Sequence, residues 1–137
     1  MSSAPAVDGS MDDAGHVDRR LGLARGRHHH TWLATLDEMR RQGQDVEGLA
    51  LLLECIEAAE QEARAGSVPP TPTYTRRAAV ILRRWRDLDA EVSLLERWTA
   101  AFPADADDPR VLDVRLARAR RLRDARSRSR PRSASRV

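Results

Sequence analysis

Apolar residues recur at helical spacing along most of the chain from residue 31 onward. Trp32, Leu33, Leu36 and Met39 predict a first helix of about three turns, which ends where Gln42-Gly43-Gln44 interrupts the pattern. Asp45 is placed to cap a second helix, and Gly66 is placed to end it. The apolar stripe of this second helix consists of Val46, Leu49, Leu52, Leu53, Ile56, Ala59 and Ala63.

A loop must follow the second helix, because Pro69 and Pro70 fix the backbone and lack amide donors. Thr71 followed by Pro72 then marks the start of a third helix. We expect a turn at residues 87–89, a fourth helix that ends before Pro103 and a fifth that begins near Pro109. Their apolar positions are Tyr74, Ala78, Ile81, Leu82 and Trp85, then Val92, Leu95, Trp98 and Phe102, then Val111, Leu112, Leu116, Ala119 and Leu122.

The pattern therefore predicts an all-α fold with low-complexity ends. Residues 1–30 lack a sustained period and predict a disordered leader, residues 31–124 predict a helical domain, and residues 125–137 predict a disordered tail rich in Arg and Ser. Within the domain we expect two stacked antiparallel helical hairpins and a C-terminal helix that caps the open end.

The two hairpins show an internal repeat at a spacing of about 42 residues. The matched pairs are Trp32 with Tyr74, Asp45 with Asp87, Val46 with Leu88, Leu53 with Leu95, and Ile56 with Trp98. A helix–turn–helix unit cannot bury its apolar face alone, so the two units must stack. Because stable arrays usually need three or more units, self-association is a further expectation.

The second unit resembles the tetratricopeptide-repeat (TPR) superfamily, whose units of about 34 residues end at a proline. With Pro103 on that proline, Ala79 falls where the family prefers a small residue and Leu82 where it prefers a large one. The turn Arg86-Asp87-Leu88-Asp89 is also similar, and Gln44-Asp45-Val46 keeps it in the first unit. The resemblance covers about residues 31–103. It implies a non-enzymatic module that binds a peptide or protein in a concave groove lined by the first helix of each unit.

Composition narrows the protein class. A chain of 137 residues with 41% hydrophobic and 4% aromatic residues fits one domain with an aliphatic core. A single cysteine, Cys55, excludes an internal disulfide and a multi-cysteine zinc site. No apolar run approaches the roughly 18 residues of a membrane span, which predicts no membrane partner. Residues 1–15 resemble neither a signal nor a transit peptide, so we expect a cytoplasmic protein.

Few residues of the sequence are candidates for metal binding or catalysis. His28, His29 and His30, with His16, suggest a metal site, but the sequence favours a solvated helix entrance and no metal. Cys55 lies beside an apolar stripe and predicts an inert thiol. Three glutamates at helical spacing predict a solvent-exposed face, and the three tryptophans predict packing rather than base-stacking platforms. Since no catalytic motif is present, we expect no enzyme activity, no catalytic residue and no cofactor. The glutamates are Glu54, Glu57 and Glu60, and the tryptophans are Trp32, Trp85 and Trp98.

All 24 basic residues are arginines, and they suggest two functions. By the TPR resemblance, Arg41, Arg76, Arg83 and Arg84 line the groove and bind the carboxylates of an acidic peptide or protein partner. The alternative is a nucleic-acid-associated protein whose basic tail neutralises phosphates. The tail arginines of this alternative are Arg126, Arg128, Arg130 and Arg132. A solvated groove face and a solubilising tail are the competing interpretations.

Overall fold

A computed structural model describes residues 21–102 and 110–129 of the chain, whose regular elements are helices apart from one short β-hairpin. The elements are β1 (Leu23–Ala24), β2 (Arg27–His28), a 3-10 helix (His29–Trp32), α1 (Leu33–Arg41), α2 (Asp45–Gly66), α3 (Thr73–Arg84), α4 (Leu88–Ala100), a second 3-10 helix (Arg110–Leu112) and α5 (Asp113–Ser129). Each helix packs against the next one, and α5 covers α4 at the end of the stack. The predicted all-α fold is confirmed.

The helix boundaries agree with the sequence to within a few residues. Asp87 caps α4, because its carboxylate accepts a hydrogen bond from the Ala90 amide at 3.2 Å. At the end of α2 the left-handed residue is Ser67, with φ of 54°, rather than the predicted Gly66. Asp45 is the first residue of α2 rather than its cap. None of the helices in residues 21–102 or 110–129 has the length and apolar character that a membrane crossing needs.

Two apolar clusters hold the helices together. The first lies between α1, α2 and α3, and the second joins α4 to α5. Small side chains allow close helix contact at the centre of each cluster, since Ala78 and Ala79 are both fully buried. The first cluster includes Leu36, Leu51, Leu52, Cys55, Ile56, Tyr74 and Leu82, and the second includes Val92, Leu95, Trp98, Leu112, Leu116 and Ala119.

Several predicted core residues are instead exposed. The apolar stripe of α2 is wider than the surface that α1 and α3 cover, so its outer edge remains in solvent. Trp85 is exposed because it follows the last residue of α3, where the chain turns away from the core. The exposed residues are Val46, Leu53, Trp85, Val111 and Leu122.

Part of the leader predicted for residues 1–30 belongs to the fold. Residues 1–20 lie outside the described part of the chain, but residues 21–30 form the β-hairpin and the start of the first 3-10 helix. Ala24 is buried against α2, and its carbonyl accepts a hydrogen bond from Trp32 Nε1 at 2.7 Å. Strands of two residues have no periodic pattern to detect, which is why this hairpin was missed.

The start of the tail predicted for residues 125–137 belongs to a helix. Helix α5 continues to Ser129, although residues 125–129 are exposed. Arg126 lies against the α3–α4 turn, where its Nη1 donates a hydrogen bond to the Arg86 carbonyl at 2.6 Å. Alanine and arginine favour helix even without apolar contacts, so the absence of a core pattern was not evidence for disorder here.

Candidate functional site

A groove lies between α1, the start of α2 and α3. It encloses a cavity of about 270 Å³. Its floor is apolar, and its rim carries four arginines, one glutamine and one aspartate. The floor residues are Leu36, Gly48, Leu52, Val80 and Ile81, and the rim residues are Arg40, Gln44, Asp45, Arg76, Arg77 and Arg84.

Helical spacing explains how α1 and α3 each contribute residues to both the floor and the rim of the groove. On α3, Arg76, Val80 and Arg84 are four residues apart and therefore share one face of the helix. On α1, Leu36 and Arg40 have the same spacing, with the leucine buried and the arginine exposed. Each long guanidinium side chain thus rises from the edge of an apolar strip.

Two ion pairs fix part of the rim. Arg84 Nη2 lies 2.7 Å from Asp45 Oδ2 and connects the end of α3 to the start of α2. Arg77 Nη1 lies 2.8 Å from Asp37 Oδ1 on α1. Arg40, in contrast, makes no ion pair with any residue of the described part of the chain, and the same holds for Arg76. The rim therefore carries a positive charge that its own acidic residues do not balance.

Two of the four arginines predicted to bind a partner line the groove, and two do not. Arg76 and Arg84 line the groove. Arg41 points away from it and pairs with Glu38 of the same helix, with Nη2 at 2.6 Å from Oε1. Arg83 is held between α3 and α4 by Glu91, so it is part of the fold rather than of the groove.

The sequence missed Arg40 and Arg77, which line the groove instead. A shift of one residue turns a side chain by about 100° around the helix axis. Arg40 and Arg41 are neighbours in sequence but lie on different faces of α1, and the same is true of Arg83 and Arg84 on α3. Only the way in which α1 and α3 face each other decides which of two adjacent arginines reaches the groove.

The basic C-terminal region forms a second surface. Arg126 and Arg128 are exposed on α5, while Arg130 and Arg132 lie outside the described residues. Where α5 passes the α3–α4 turn, a cavity of about 750 Å³ is lined by Arg83, Arg84, Arg86 and Arg126 together with Leu88 and Leu122. This surface is more open and more polar than the groove.

The interpretation of the histidines as a solvated helix entrance is wrong for His29. His29 is buried, and its Nδ1 lies 2.6 Å from Tyr74 Oη while its Nε2 lies 2.8 Å from Glu62 Oε1. His28 Nε2 lies 2.8 Å from the second oxygen of Glu62. No sequence pattern indicated Glu62 as their partner. His30 remains exposed, and His16 lies outside the described residues.

The ionisation of this cluster follows from its burial. Burial lowers the pKa of His29, and this outweighs the opposing hydrogen bond from Glu62. Burial also raises the pKa of Glu62, but hydrogen bonds from His28 and His29 lower it further than burial raises it. His29 is therefore neutral and donates from Nε2 to a carboxylate, which leaves Nδ1 to accept from the Tyr74 hydroxyl.

The remaining candidates for chemistry have structural roles. Cys55 is fully buried, and burial raises the pKa of its thiol to about 11. Glu54 is exposed and paired with Arg25 of the β-hairpin. Glu60 does not lie on the predicted solvent-exposed face, because it is buried and accepts two hydrogen bonds from Arg97 of α4, at 2.7 and 2.9 Å.

No known protein family, curated protein or solved structure matches the chain.

Proposed function

We propose that the protein is a non-enzymatic interaction module of the TPR-like type, which binds an acidic segment of a protein partner in the groove between α1, α2 and α3. The observation that carries this proposal is the combination of an apolar floor with four arginines on the rim. An apolar floor favours burial of a partner side chain, and guanidinium groups hold carboxylates in bidentate geometry.

The dimensions of the groove limit what it binds. Arg76 and Arg84 are eight residues apart on α3, which corresponds to about 12 Å along the helix. An extended peptide advances by about 3.3 Å per residue, so about four residues fit between these two arginines. We therefore propose a short ligand in which acidic residues flank one or two apolar residues. The module would act in the cytoplasm, where its single unpaired cysteine stays reduced.

The proposal is tested with a library of labelled extended peptides of varied charge, screened for binding to the full chain by fluorescence polarisation. We expect enrichment of peptides that combine Asp or Glu with Leu or Phe. Their affinity should fall as salt increases, because exposed charges are screened. A library that yields no acidic preference contradicts the proposal.

The chain offers a matched pair of variants for the same assay. Arg40→Glu reverses a charge on the groove, whereas Arg41→Glu makes the same change on the neighbouring face of α1. We expect Arg40→Glu to weaken binding about 10-fold or more and Arg41→Glu to change it by less than about 3-fold. Arg76→Glu should behave like Arg40→Glu. Equal losses for Arg40→Glu and Arg41→Glu would mean that binding depends on net charge rather than on the groove.

A second candidate function is phosphate binding by the basic surface near α5. It is favoured by the position of Arg126 beside Arg86, which gathers guanidinium groups around one open cavity. This function predicts salt-dependent binding to single-stranded nucleic acid that is lost when the chain ends at Asp124. Groove binding should survive that truncation, so the two functions separate in one pair of proteins.

A further inference from the structure

Two histidines and one glutamate converge at the junction of the β-hairpin and α2. His28 ends β2, His29 begins the first 3-10 helix, and Glu62 lies near the C-terminal end of α2. One ligand atom from each residue lies within 4.8 Å of the others. The rings of His28 and His29 lie side by side, with their centroids 4.1 Å apart and their planes tilted by 34°.

The backbone places the imidazoles of His28 and His29 on the side of the hairpin that faces Glu62. In a continuous strand, adjacent side chains point to opposite faces, but the strand ends at His28 and the chain turns into the 3-10 helix. The turn is fixed by a hydrogen bond from the His29 amide to the Gly22 carbonyl at 2.7 Å. Both Nε2 atoms therefore reach the Glu62 carboxylate.

Gly22 shows how closely the backbone surrounds this site. It has φ of +78°, a conformation that favours glycine, and a Cβ atom there would lie 3.1 Å from Glu62 Cδ, Glu62 Oε2 and His28 Nε2. A side chain at position 22 would therefore crowd the Glu62 carboxylate and the His28 ring. Glycine keeps that space open.

The outer contacts orient the imidazoles through their other nitrogens. Tyr74, which is buried, holds His29 Nδ1 at 2.6 Å, and the His30 amide donates to His28 Nδ1 at 3.3 Å. A metal-bound histidine donates a hydrogen bond from its second nitrogen, and acceptors for both rings are in place: Tyr74 Oη lies 2.6 Å from His29 Nδ1, and His30 Nδ1 lies 3.0 Å from His28 Nδ1. Both Nε2 atoms are left to face Glu62.

We propose that His28 Nε2, His29 Nε2 and the Glu62 carboxylate form a binding site for a divalent transition-metal ion of the Zn²⁺ class. Two imidazoles and one carboxylate are a ligand set that Zn²⁺ accepts when a further coordination position stays open. When the ion binds at Nε2, the proton of each imidazole moves to Nδ1, so that His29 donates to Tyr74 Oη at 2.6 Å and His28 donates to His30 Nδ1 at 3.0 Å in place of accepting from the His30 amide.

The site can take up an ion with a small movement. Ligand atoms in a tetrahedral zinc site are about 3.3 Å apart, since each metal–ligand bond is about 2.0–2.1 Å. The two N–O distances of 2.8 Å, which end on different oxygens of Glu62, must therefore open by about 0.5 Å, while ligand atoms that now lie up to 4.8 Å apart must approach to about 3.3 Å. The side chains of His28 and Glu62 are 33% and 40% exposed and can move, whereas that of His29 is only 9% exposed and anchors the site.

An open coordination position has room beside it. A cavity of about 250 Å³ is bordered by His29 and Glu62 on one side and by the loop residues Val68, Pro69 and Pro70 on the other. Water or a small anionic group fits at this place next to the ion. The site is separate from the arginine-lined groove, so it can exist whether or not the proposed function is correct.

The test is isothermal titration of Zn²⁺ into the full chain, with Co²⁺ absorption in the visible range as a second readout. We expect one Zn²⁺ per chain. His28→Gln and Glu62→Gln should each weaken binding by about 100-fold or more, since even outer partners of a metal contribute roughly 10–100-fold. The same variants should lose the visible bands of the Co²⁺ form.

The matched control is Glu54→Gln, which makes the same substitution as Glu62→Gln on the same helix. The Glu54 carboxylate is exposed and pairs with Arg25 rather than with the histidines, so this variant leaves the proposed ligands and their partners unchanged. It should retain Zn²⁺ affinity within about 3-fold. Circular dichroism is used to check that all variants are folded. We expect Glu62→Gln to fold, because its amide oxygen still accepts a hydrogen bond.

Two results would overturn the proposal. One is a wild-type chain that binds no Zn²⁺ at 1:1 protein–metal ratios in the micromolar range, which would leave the cluster as a hydrogen-bonded network alone. The other is an equal loss of affinity in Glu54→Gln and Glu62→Gln, which would indicate unspecific binding to surface carboxylates.

Discussion

Arg83 donates two hydrogen bonds to the fully buried carboxylate of Glu91, from Nε to Oε1 at 2.6 Å and from Nη2 to Oε2 at 2.8 Å. The pair joins α3 to α4, and Arg115 of α5 reaches the same carboxylate at 3.3 Å. A carboxylate without access to water needs such partners, because its charge is otherwise not compensated.

The first prediction concerns the asymmetry of this pair. Arg83→Leu leaves the Glu91 charge buried with one long contact and should lower the free energy of unfolding by about 3 kcal/mol. Glu91→Leu should cost less, because Arg83 and Arg115 are 25% and 31% exposed and can turn toward solvent. Urea denaturation of both variants measures the difference.

The double variant Arg83→Leu/Glu91→Leu completes this experiment. It should be no less stable than Arg83→Leu alone, because it removes the buried charge together with its partner. Strictly additive losses would contradict a direct coupling between the two residues.

The second prediction compares a glycine in the α1–α2 turn with one that follows it in α2. Gly48 lies inside α2, where an added Cβ meets no atom closer than Met39 Cβ at 3.9 Å. Gly48→Ala should therefore raise the free energy of unfolding by about 0.5 kcal/mol through helix propensity. Gly43 has open space around it but φ of +69°, so Gly43→Ala should lower stability by about 1 kcal/mol. Thermal melts that shift in the same direction for both variants would contradict the structure.

The third prediction concerns the reactivity of Cys55. Its thiol is buried, and because burial raises its pKa to about 11, only about one thousandth of it is thiolate at pH 8. We expect iodoacetamide to modify the native chain at least about 100-fold more slowly than the chain in 8 M urea, since unfolding restores an ordinary, accessible thiol. Mass spectrometry follows the reaction. Similar rates in the two conditions would mean that α2 opens readily around this residue.

The fourth prediction is that the end of α5 does not hold the fold together. The buried residues of α5 are Leu116 and Ala119, whereas residues 125–129 are exposed. A chain that ends at Asp124 should retain its stability within about 0.5 kcal/mol. The comparison is a denaturation curve of the truncated and full-length chains. A larger loss would show that the contact between Arg126 and Arg86 contributes to folding, and the truncation would then no longer separate the two proposed functions.

The amino-acid sequence by itself determined the five helices, their order and most of their boundaries. These features depend on interactions within a few residues, such as the 3.6-residue apolar period, the capping carboxylate of Asp87 and the prolines that precede α3. The burial of Leu36 followed from the same period. The β-hairpin escaped prediction because strands as short as Leu23–Ala24 carry no period.

The tertiary structure alone decided which residues meet. Whether Arg40 or Arg41 faces the groove depends on the orientation of α1 against α3, and one residue of difference is about 100°. His29 and Glu62 are 33 positions apart and become neighbours only because the hairpin packs on α2. No local sequence pattern encodes a contact between residues that lie so far apart along the chain. The sequence could therefore indicate helices that carry arginines and histidines, while the groove and the His–Glu cluster arose from the packing of those elements against one another.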